Sequence, residues 1–217
     1  MRSNVNLIHL PRAAWLLAIV TLCSTAALGQ DPCAYNFPQD SNPTSITSED
    51  VCNFHQVDAQ LFRGGRPRPS AYPKLAEIGI RTIVNLEEVD FAAEEKALVD
   101  NLNRTLPPGK QIQFFSLPIG PDEIEVRGIS HERLKKLFAQ VRDAQRPIFI
   151  HCYHGKDRSG AVVALYRMLM QQKSFDEAYA EAYHYGFSRR DHGLSQTVDR
   201  YKSRKKLHSL PRPEPDK

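Results

Sequence analysis

The sequence predicts an α/β domain with a central, mostly parallel sheet flanked by helices. Short β-branched or apolar segments alternate with longer amphipathic segments, and this alternation is typical of parallel strands joined by helical crossovers. The 217 residues, of which 41% are hydrophobic and 25% charged, suffice for one domain with its own core. This composition excludes a mainly disordered chain, a collagen-like repeat, a disulfide-dense miniprotein and a multi-span membrane protein.

The first half of the domain is predicted to contain three strands and two helices. Gly64 and Gly65 end the first strand, Gly79 ends the first helix, and two prolines followed by Gly109 end the second. The segment RTIVNL is rich in β-branched residues, which favours a strand. The strands are predicted over 60–63, 81–86 and 112–117, and the helices over 70–78 and 92–106.

The second half is predicted to begin with an acidic loop and to continue with one strand and four helices. The segment PIFIH is short and apolar, as expected for a buried strand. Ser174 and Glu177 form a capping box at the start of the penultimate helix. The loop is predicted over 118–128, the strand over 147–151, and the helices over 130–144, 159–172, 174–185 and 194–207.

Residues 1–29 have the form of a secretory signal. Two arginines precede an apolar run over 13–23, and Ala27 and Gly29 are the small residues expected before a cleavage site. The run is too short for a comfortable transmembrane helix. Export to the periplasm or the cell exterior is therefore predicted, with an uncleaved membrane anchor as the alternative. Residues 30–55 are rich in turn formers and are predicted to be an extension with little core of its own.

The cysteines are predicted to form one disulfide and one free thiol. Cleavage after Gly29 removes Cys23 and leaves Cys33, Cys52 and Cys152, an odd number that leaves one thiol unpaired. Export brings the chain into an oxidising compartment, where a disulfide can stabilise a segment that lacks a core. The sequence alone permits three pairings. The Cys33–Cys52 disulfide is predicted because both residues lie in the extension.

The positive charge of the chain lies at its ends. The whole sequence has a net charge of +4, but residues 30–199 carry −3 and residues 200–217 carry +5. A basic face on the folded body is therefore not expected, which argues against nucleic-acid binding. The basic cluster at 202–206 is predicted to be solvated, with weak contact to an anionic membrane surface as the alternative. Residues 208–217 are predicted to be a disordered tail.

The chemistry is concentrated in residues 151–160, HCYHGKDRSG, which join the buried strand to the next helix. The backbone amides of a tight loop and the positive end of a helix dipole suit a phosphate group, and Arg158 can add a bidentate fork. The same field favours the thiolate of Cys152, which is the nucleophilic form. The alternatives are a metal site built on His151, Cys152 and His154, a sulfurtransferase loop, and a buried structural cysteine.

This segment resembles the HCxxGxxR[ST]G signature of the protein tyrosine and dual-specificity phosphatase superfamily and matches it at every specified position. Two upstream segments, LFRGGRP at 61–67 and GIRTIVNL at 79–86, are similar to segments of bacterial and atypical dual-specificity phosphatases. The resemblance covers roughly 56–190. It implies the cysteine-phosphatase fold for a domain over 56–207, with no metal ion and no cofactor.

The resemblance also implies roles for individual residues. Cys152 is the nucleophile that forms a cysteinyl-phosphate, Ser159 donates a hydrogen bond to the departing thiolate, and His151 holds and tunes the loop. The phosphoryl group is held by the residues of the loop, which are Tyr153, His154, Gly155, Lys156, Asp157 and Arg158.

In this superfamily an Asp on a mobile loop upstream of the cysteine acts as the general acid. Asp122 lies 30 residues before Cys152, in the acidic loop that follows the strand over 112–117. It is the residue predicted to protonate the leaving oxygen. Glu123 and Glu125 are the alternatives, and solvation of an exposed loop is the alternative role for all three acids.

The sequence therefore predicts an exported phosphatase that hydrolyses phosphate monoesters, with phosphorylated proteins as substrates. The only Trp, Trp15, lies in the signal, so the mature chain lacks the Trp-Pro-Asp loop of larger tyrosine-specific enzymes, which favours a dual-specificity enzyme. Lys156 leaves phosphoinositides or inositol phosphates as alternative substrates. A catalytically inactive phosphate-binding module is the alternative of another class, and a monomer is expected.

Overall fold

The structure, a computed structural model, describes residues 45–212, which contain one five-stranded sheet. The strands are β1 (His55–Gln56), β2 (Leu61–Gly64), β3 (Thr82–Asn85), β4 (Gln113–Ser116) and β5 (Ile148–His151). They lie in the order β1-β2-β5-β3-β4. All neighbours are parallel except β1, which pairs antiparallel with β2 at one edge. The predicted α/β architecture with a mostly parallel sheet is confirmed.

Eight helices within the described residues flank the sheet. They are α1 (Ala71–Glu77), α2 (Val89–Asn103), α3 (Pro121–Glu125), α4 (His131–Asp143), α5 (Asp157–Met170), α6 (Phe175–His184), α7 (His192–Asp199) and α8 (Arg204–Leu207). The Ser130 hydroxyl caps α4 by accepting the amide of Arg133. Ser174 and Glu177 form the capping box predicted for α6.

The sheet separates two hydrophobic cores because successive strand residues point to opposite faces. Ile148 and Ile150 of β5 pack in a first core together with side chains of α4, α5, α6, α7 and α8. Phe149, between them, packs in a second core with side chains of α1, α2 and the segment before β1. Cys152 belongs to the first core, whereas the ring of His151 stacks on Phe149 on the second face. Adjacent residues of the motif therefore contact different helices.

The segment before residue 56 buries more apolar surface than the sequence predicted. Ile46, Val51 and Phe54 are buried in the second core. The ring centroid of Phe54 lies 5.6 Å from those of both Phe62 in β2 and Phe149 in β5. The predicted start of the domain at residue 56 is therefore wrong, because the apolar side chains of residues 46–55 pack on the sheet as part of the domain, although this segment has no separate core of its own.

Before residue 160 the structure differs from the prediction at three helices. α2 begins and ends three residues earlier than predicted over 92–106. α3 lies inside the segment predicted as a loop over 118–128, because a five-residue helix is too short to show hydrophobic periodicity. α5 starts at Asp157, two residues earlier than predicted. Arg158 therefore lies in the first turn of α5, next to the loop that contains Cys152.

The single helix predicted over 194–207 is two helices, α7 and α8. Tyr201 and Leu207 are both buried in the first core. In one straight helix these side chains would point about 120° apart, so the break between α7 and α8 lets both reach the core. Leu210 is also buried there, at 2% exposure. The prediction of a disordered tail over 208–217 is therefore wrong for its first residues.

Several predictions concern residues outside 45–212. The signal over 1–29 and Cys33 lie there, so export and the Cys33–Cys52 disulfide stay predictions, and residues 213–217 of the predicted tail are likewise outside the described range. Within residues 45–212, no helix is both long enough and apolar enough to span a bilayer.

Candidate active site

The carboxyl ends of β2, β3 and β5 meet at one edge of the sheet, where parallel sheets bind their ligands. The loop over 152–156 joins β5 to α5 at this edge. Gly155 in this loop has a φ of +71°, and a Cβ atom there would lie 2.3 Å from the carbonyl carbon of Gly64. Only glycine fits this position, so the close approach of β2 requires the glycine of the motif.

Cys152 is a buried free thiol, 3% exposed, that directly follows β5. The hydroxyl of Ser159 donates a hydrogen bond to Sγ of Cys152 over 3.3 Å. Ser159 is fully buried in the first turn of α5, so the helix fixes the position of this donor. The hydroxyl that the resemblance assigns to the departing sulfur is therefore positioned against Sγ of Cys152.

Arg158 projects from the first turn of α5 along the carboxyl edge of the sheet. Its Nη1 donates to the carbonyl of Leu86, just after β3, over 3.4 Å. The side chain is partly exposed, and a guanidinium has five N–H donors in a planar fork. The structure thus places a partly exposed guanidinium beside the loop of Cys152, as the motif predicted.

Asp157 connects the start of α5 to the segment between α6 and α7. Its carboxylate accepts the amide of Ser188 over 2.9 Å and lies 3.5 Å from Nζ of Lys156. Burial raises the pKa of Asp157 to about 6; Lys156 opposes this effect, and the nearby carboxylate of Asp191 adds to it. The side chain of Asp157 therefore supports the loop, and a carboxylate in this position is not suited to bind phosphate directly.

His151 is fully buried beneath the loop and contacts a carboxylate of α2. Its Nε2 lies 3.0 Å from both carboxylate oxygens of Glu95. Glu95 also accepts the hydroxyl of Tyr72 over 3.0 Å and the side-chain amide of Asn85 over 2.5 Å. Burial alone would raise the pKa of Glu95, but the charge of His151 and these hydrogen bonds outweigh it and lower the pKa below its ordinary value. The motif indicated His151, whereas its partner Glu95, and the two side chains that donate to Glu95, come together only through tertiary packing.

Two buried side chains without a predicted role hold the loop through one carbonyl. Nη2 of Arg63 donates to the Gly155 carbonyl over 2.7 Å, and Nδ2 of Asn53 donates to the same oxygen over 2.9 Å. The guanidinium of Arg63 also lies 5.0 Å from the ring centroid of Tyr185. A signal for Arg63 exists in the sequence, because this arginine interrupts a short apolar strand. No such signal marks Asn53, which lies in the segment predicted as an extension.

Four side chains, which we call the rim, lie beside the loop of Cys152. They are Arg66, Glu87, Phe91 and Tyr153. Arg66 donates with Nε and Nη2 to both carboxylate oxygens of Glu87, over 2.9 and 2.5 Å. Its guanidinium lies 4.1 Å from the ring centroid of Phe91 and 4.8 Å from that of Tyr153. The Arg66 amide donates to the Tyr153 carbonyl over 3.1 Å, which attaches the rim to the loop.

His154, the remaining loop side chain, is partly buried, and its ring meets that of Tyr153 edge-on at 4.6 Å between centroids. Burial lowers the pKa of His154, and the charges of Lys156 and Arg158 lower it further. The imidazole is therefore neutral at neutral pH, and it adds no positive charge to the site.

Asp122 lies in α3 rather than in an irregular loop. Its side chain is about half exposed and forms an ion pair with Arg127. Within residues 45–212, no hydrogen bond or ion pair joins it to Cys152 or Arg158. The segment just before α3 does reach the site, because the amide of Ile119 and Nη1 of Arg158 both donate to the carbonyl of Leu86.

The arrangement suits transfer of a phosphoryl group to sulfur. A thiol with a hydroxyl donor lies at the start of α5, where the first amides of the helix have no partners within the helix. A guanidinium lies beside it. In the part of the chain that the structure describes, no group of three or more His, Cys, Asp or Glu side chains could hold a metal ion.

Comparison with known proteins identifies the family. Residues 32–200 match the family model described as "DSP-PTPase phosphatase fused to NAD+ Kinase". The chain belongs to this dual-specificity phosphatase family. The phosphatase is 23% identical, over 84% of its length, to the dual specificity protein phosphatase TpbA of Pseudomonas aeruginosa, and the match spans 78% of TpbA. It is 26% identical, over 58% of its length, to the inositol diphosphatase DSP4 of Arabidopsis thaliana, and this match spans 61% of DSP4.

Solved structures show the same fold. The crystal structure of P. aeruginosa TpbA superposes with a TM-score of 0.60, at 18% identity, over 80% of this chain and 99% of that chain. The Siw14 catalytic core superposes with a TM-score of 0.58, at 22% identity, over 72% of this chain and 88% of that chain. The cysteine-phosphatase fold implied by the motif is confirmed. The family match and the relatives support phosphatase activity, so the chain is a hydrolase.

Proposed function

We propose that this phosphatase hydrolyses phosphate monoesters on proteins through a cysteinyl-phosphate intermediate. The observation that carries the proposal is the site of Cys152. The sulfur of this buried free thiol accepts a hydrogen bond from the hydroxyl of Ser159 over 3.3 Å. Arg158 precedes Ser159 in the first turn of α5. These are the parts that nucleophilic attack on phosphorus requires.

In the first step the Cys152 thiolate attacks phosphorus. A sulfur–phosphorus bond forms, the bond from phosphorus to the leaving oxygen breaks, and the carboxyl of Asp122 gives its proton to that oxygen. Water then attacks the cysteinyl-phosphate, and Asp122 takes one of its protons. Inorganic phosphate leaves, and the hydroxyl of Ser159 stabilises the released thiolate.

Asp122 is assigned as the acid because of its place near the site and its exposure. It lies three residues after Ile119, which hydrogen-bonds the same carbonyl as Arg158. Its ion pair with Arg127 lies at the surface, with side chains that are 52% and 76% exposed. Exposed ion pairs contribute only about 0–1 kcal/mol to the free energy of unfolding. A bound substrate can therefore replace Arg127 as the partner of Asp122.

The rim favours an aromatic phosphate ester. Phe91 is 43% exposed although it is a large apolar side chain, and with Tyr153 it presents two rings next to the loop. Glu87 neutralises Arg66 between these rings. A phosphotyrosine side chain offers the ring that such a surface binds. TpbA, a relative of this phosphatase, is named a dual specificity protein phosphatase, and one solved structure shows a TpbA variant in complex with pTyr.

A second substrate class is inositol phosphates or phosphoinositides. Lys156 adds a cation to the loop, and the relative DSP4 is named an inositol diphosphatase. The charge of Lys156 is offset by Asp157 at 3.5 Å. Polyphosphorylated ligands need several unpaired cations, so we rank this class second.

The test is a turnover panel that contains a phosphotyrosine peptide, a phosphoserine peptide, a phosphoinositide and inositol hexakisphosphate. We expect the highest kcat/KM for the phosphotyrosine peptide. Phe91→Ala should lower this kcat/KM without changing turnover of the inositol substrate. Lys156→Gln is the matched variant, because it removes the cation on which binding of an inositol phosphate would depend. A preference for the inositol substrate that Lys156→Gln abolishes would contradict the proposed substrate class.

The variant Cys152→Ser separates an enzyme from an inactive binding module. We expect it to lose turnover by at least about 10³-fold while it still binds the phosphotyrosine peptide in calorimetry. If the unaltered protein binds the peptide but never releases phosphate, the chain is a binding module. If Cys152→Ser retains full turnover, Cys152 is not the nucleophile.

We further propose that the protein is exported with a cleaved signal and a Cys33–Cys52 disulfide. The form of residues 1–29 supports export, and the disulfide-bonded state of Cys52 together with the free thiol of Cys152 supports the pairing. Mass spectrometry of the exported protein should give a chain that begins at Gln30. A peptide map without reductant should contain Cys33 joined to Cys52. A full-length chain retained in the membrane would support the uncleaved anchor instead.

A further inference from the structure

Arg63 is the largest fully buried side chain of the described residues, with 0% exposure. Its Nη2 donates to the carbonyl of Gly155, but its Nε and Nη1 have no hydrogen-bond partner within residues 45–212. A buried charge without a partner is strongly destabilising unless an opposite charge lies nearby. The surroundings of Arg63 must therefore supply a negative charge.

The charged and titratable groups that face Arg63 come from the loop, from two helices and from β1. They are Cys152 in the loop, Arg167 in α5, Glu181 and Tyr185 in and after α6, and His55, which is paired with Arg63 in the register of β1 and β2. Glu181 is already paired with Arg167 over 2.8 Å and with Lys173 over 3.0 Å. Tyr185 presents the face of its ring, 5.0 Å from the guanidinium. Because Glu181 already has two cationic partners, the thiol of Cys152 is the remaining group that can supply an opposite charge to Arg63 when it ionises.

The strand register places Arg63 on the same side of the sheet as Cys152. Leu61, two residues before Arg63, packs in the first core, to which Cys152 also belongs. Arg63 pairs with Ile150 of β5, two residues before Cys152. Burial lowers the pKa of Arg63 to about 10, and the charge of Cys152 is the strongest influence in the opposite direction. Arg63 therefore stays protonated at neutral pH.

We propose that Arg63 is a positioning residue whose buried positive charge stabilises the thiolate of Cys152 from inside the domain. Arg158 acts from the partly exposed side, where the substrate binds, whereas Arg63 has no access to substrate. The proposal rests on the proposed function only in taking Cys152 as the reactive thiol. The test measures the rate at which the thiol of Cys152 is alkylated, so its result does not depend on which phosphate ester is the substrate.

Asn53 provides a matched control because it donates to the same Gly155 carbonyl without carrying charge. The rate of alkylation of Cys152 by iodoacetamide is measured against pH in the unaltered protein, Arg63→Gln, Arg63→Lys and Asn53→Ala. An opposite charge near a titrating group shifts its midpoint by about one pH unit or more. We expect Arg63→Gln to raise the pH midpoint of alkylation by that amount. Arg63→Lys keeps the positive charge and should return the midpoint most of the way to that of the unaltered protein. Asn53→Ala should leave the midpoint unchanged.

Two results would overturn the proposal. One is an unchanged midpoint in Arg63→Gln; the other is an equal shift in Asn53→Ala, which would mean that Arg63 only holds the loop. If Arg63→Gln does not fold, the unaltered protein supplies a second measurement. The Nε resonance of Arg63 should titrate with the same midpoint as alkylation and should be constant in Cys152→Ser. A resonance that does not follow the thiol contradicts a charge interaction between the two.

Discussion

Asp122 and Glu123 are neighbours in α3, but their carboxylates have different partners. Glu123 accepts the amide of Gly120 over 3.3 Å and pairs with Arg133 over 2.8 Å, so it fixes the start of the helix. Asp122 pairs with Arg127 at the surface. A carboxyl group that acts as a proton donor must be able to reach a substrate, and Asp122 meets this requirement better than Glu123.

The variant Asp122→Asn tests this difference at the level of one residue. We expect kcat for a phosphoserine peptide to fall by about 10²-fold or more, because its alkoxide leaving group needs a proton. Turnover of p-nitrophenyl phosphate should fall much less, since p-nitrophenolate leaves without one. Glu123→Gln is the matched control and should retain the ratio of the two substrates. Equal losses on both substrates in Asp122→Asn would argue against a general acid at this position.

The residues of the contiguous motif could be predicted from spacing alone. Cys152, Arg158 and Ser159 occupy one loop and one helical turn, so their order in the chain sets their positions. The roles of Arg63, Asn53 and Glu95 could not be predicted in this way. Each contacts the site from a residue at least 56 positions away in sequence, and such contacts depend on how the strands and helices pack.

At the level of elements, the start of α5 is held by a carboxylate with a raised pKa. The pKa of Asp157 in the folded protein is about 6, above its ordinary value of 3.8. A folded state that binds the proton more tightly is favoured at low pH. The stability that protonated Asp157 contributes is therefore complete below pH 3.8 and is lost as the pH rises through about 6.

The variant Asp157→Asn keeps an oxygen to accept the amide of Ser188 but removes the charge. We expect it to be more stable than the unaltered protein at pH 8 by about 1–2 kcal/mol. The difference should shrink as the pH falls below 6 and vanish below 3.8. Urea denaturation at several pH values measures it. A difference that does not change with pH would show that Asp157 is not the group that titrates.

The end of the chain offers a second test at this level. Leu210 is 2% exposed after α8, and burial of a leucine side chain contributes about 1.5–3 kcal/mol. A chain that ends at Leu207 should therefore be less stable in urea by about this amount, whereas a chain that ends at Arg212 should match the full-length protein. Equal stability of the two shortened chains would support the prediction from the sequence that the disordered tail begins at residue 208.

For the whole molecule, the sequence indicated the class of fold but not its full extent. Alternating strands and helices predict a parallel sheet because each crossover must return along the same direction. The burial of Ile46, Val51 and Phe54 could not be predicted, since isolated apolar residues between turn formers show no periodicity. The break between α7 and α8 was missed because the local pattern is helical on both sides of it.

The central claim is that the domain positions Cys152 as the nucleophile in phosphoryl transfer. The direct measurement is the mass of the intact protein after rapid acid quench during turnover of a phosphotyrosine peptide, followed by mapping of the modified peptide. We predict that a fraction of the protein gains one phosphoryl group, that the group lies on Cys152, and that it is absent from Cys152→Ser. Turnover without a phosphorylated protein, or with the phosphoryl group on another residue such as His154, would contradict this account.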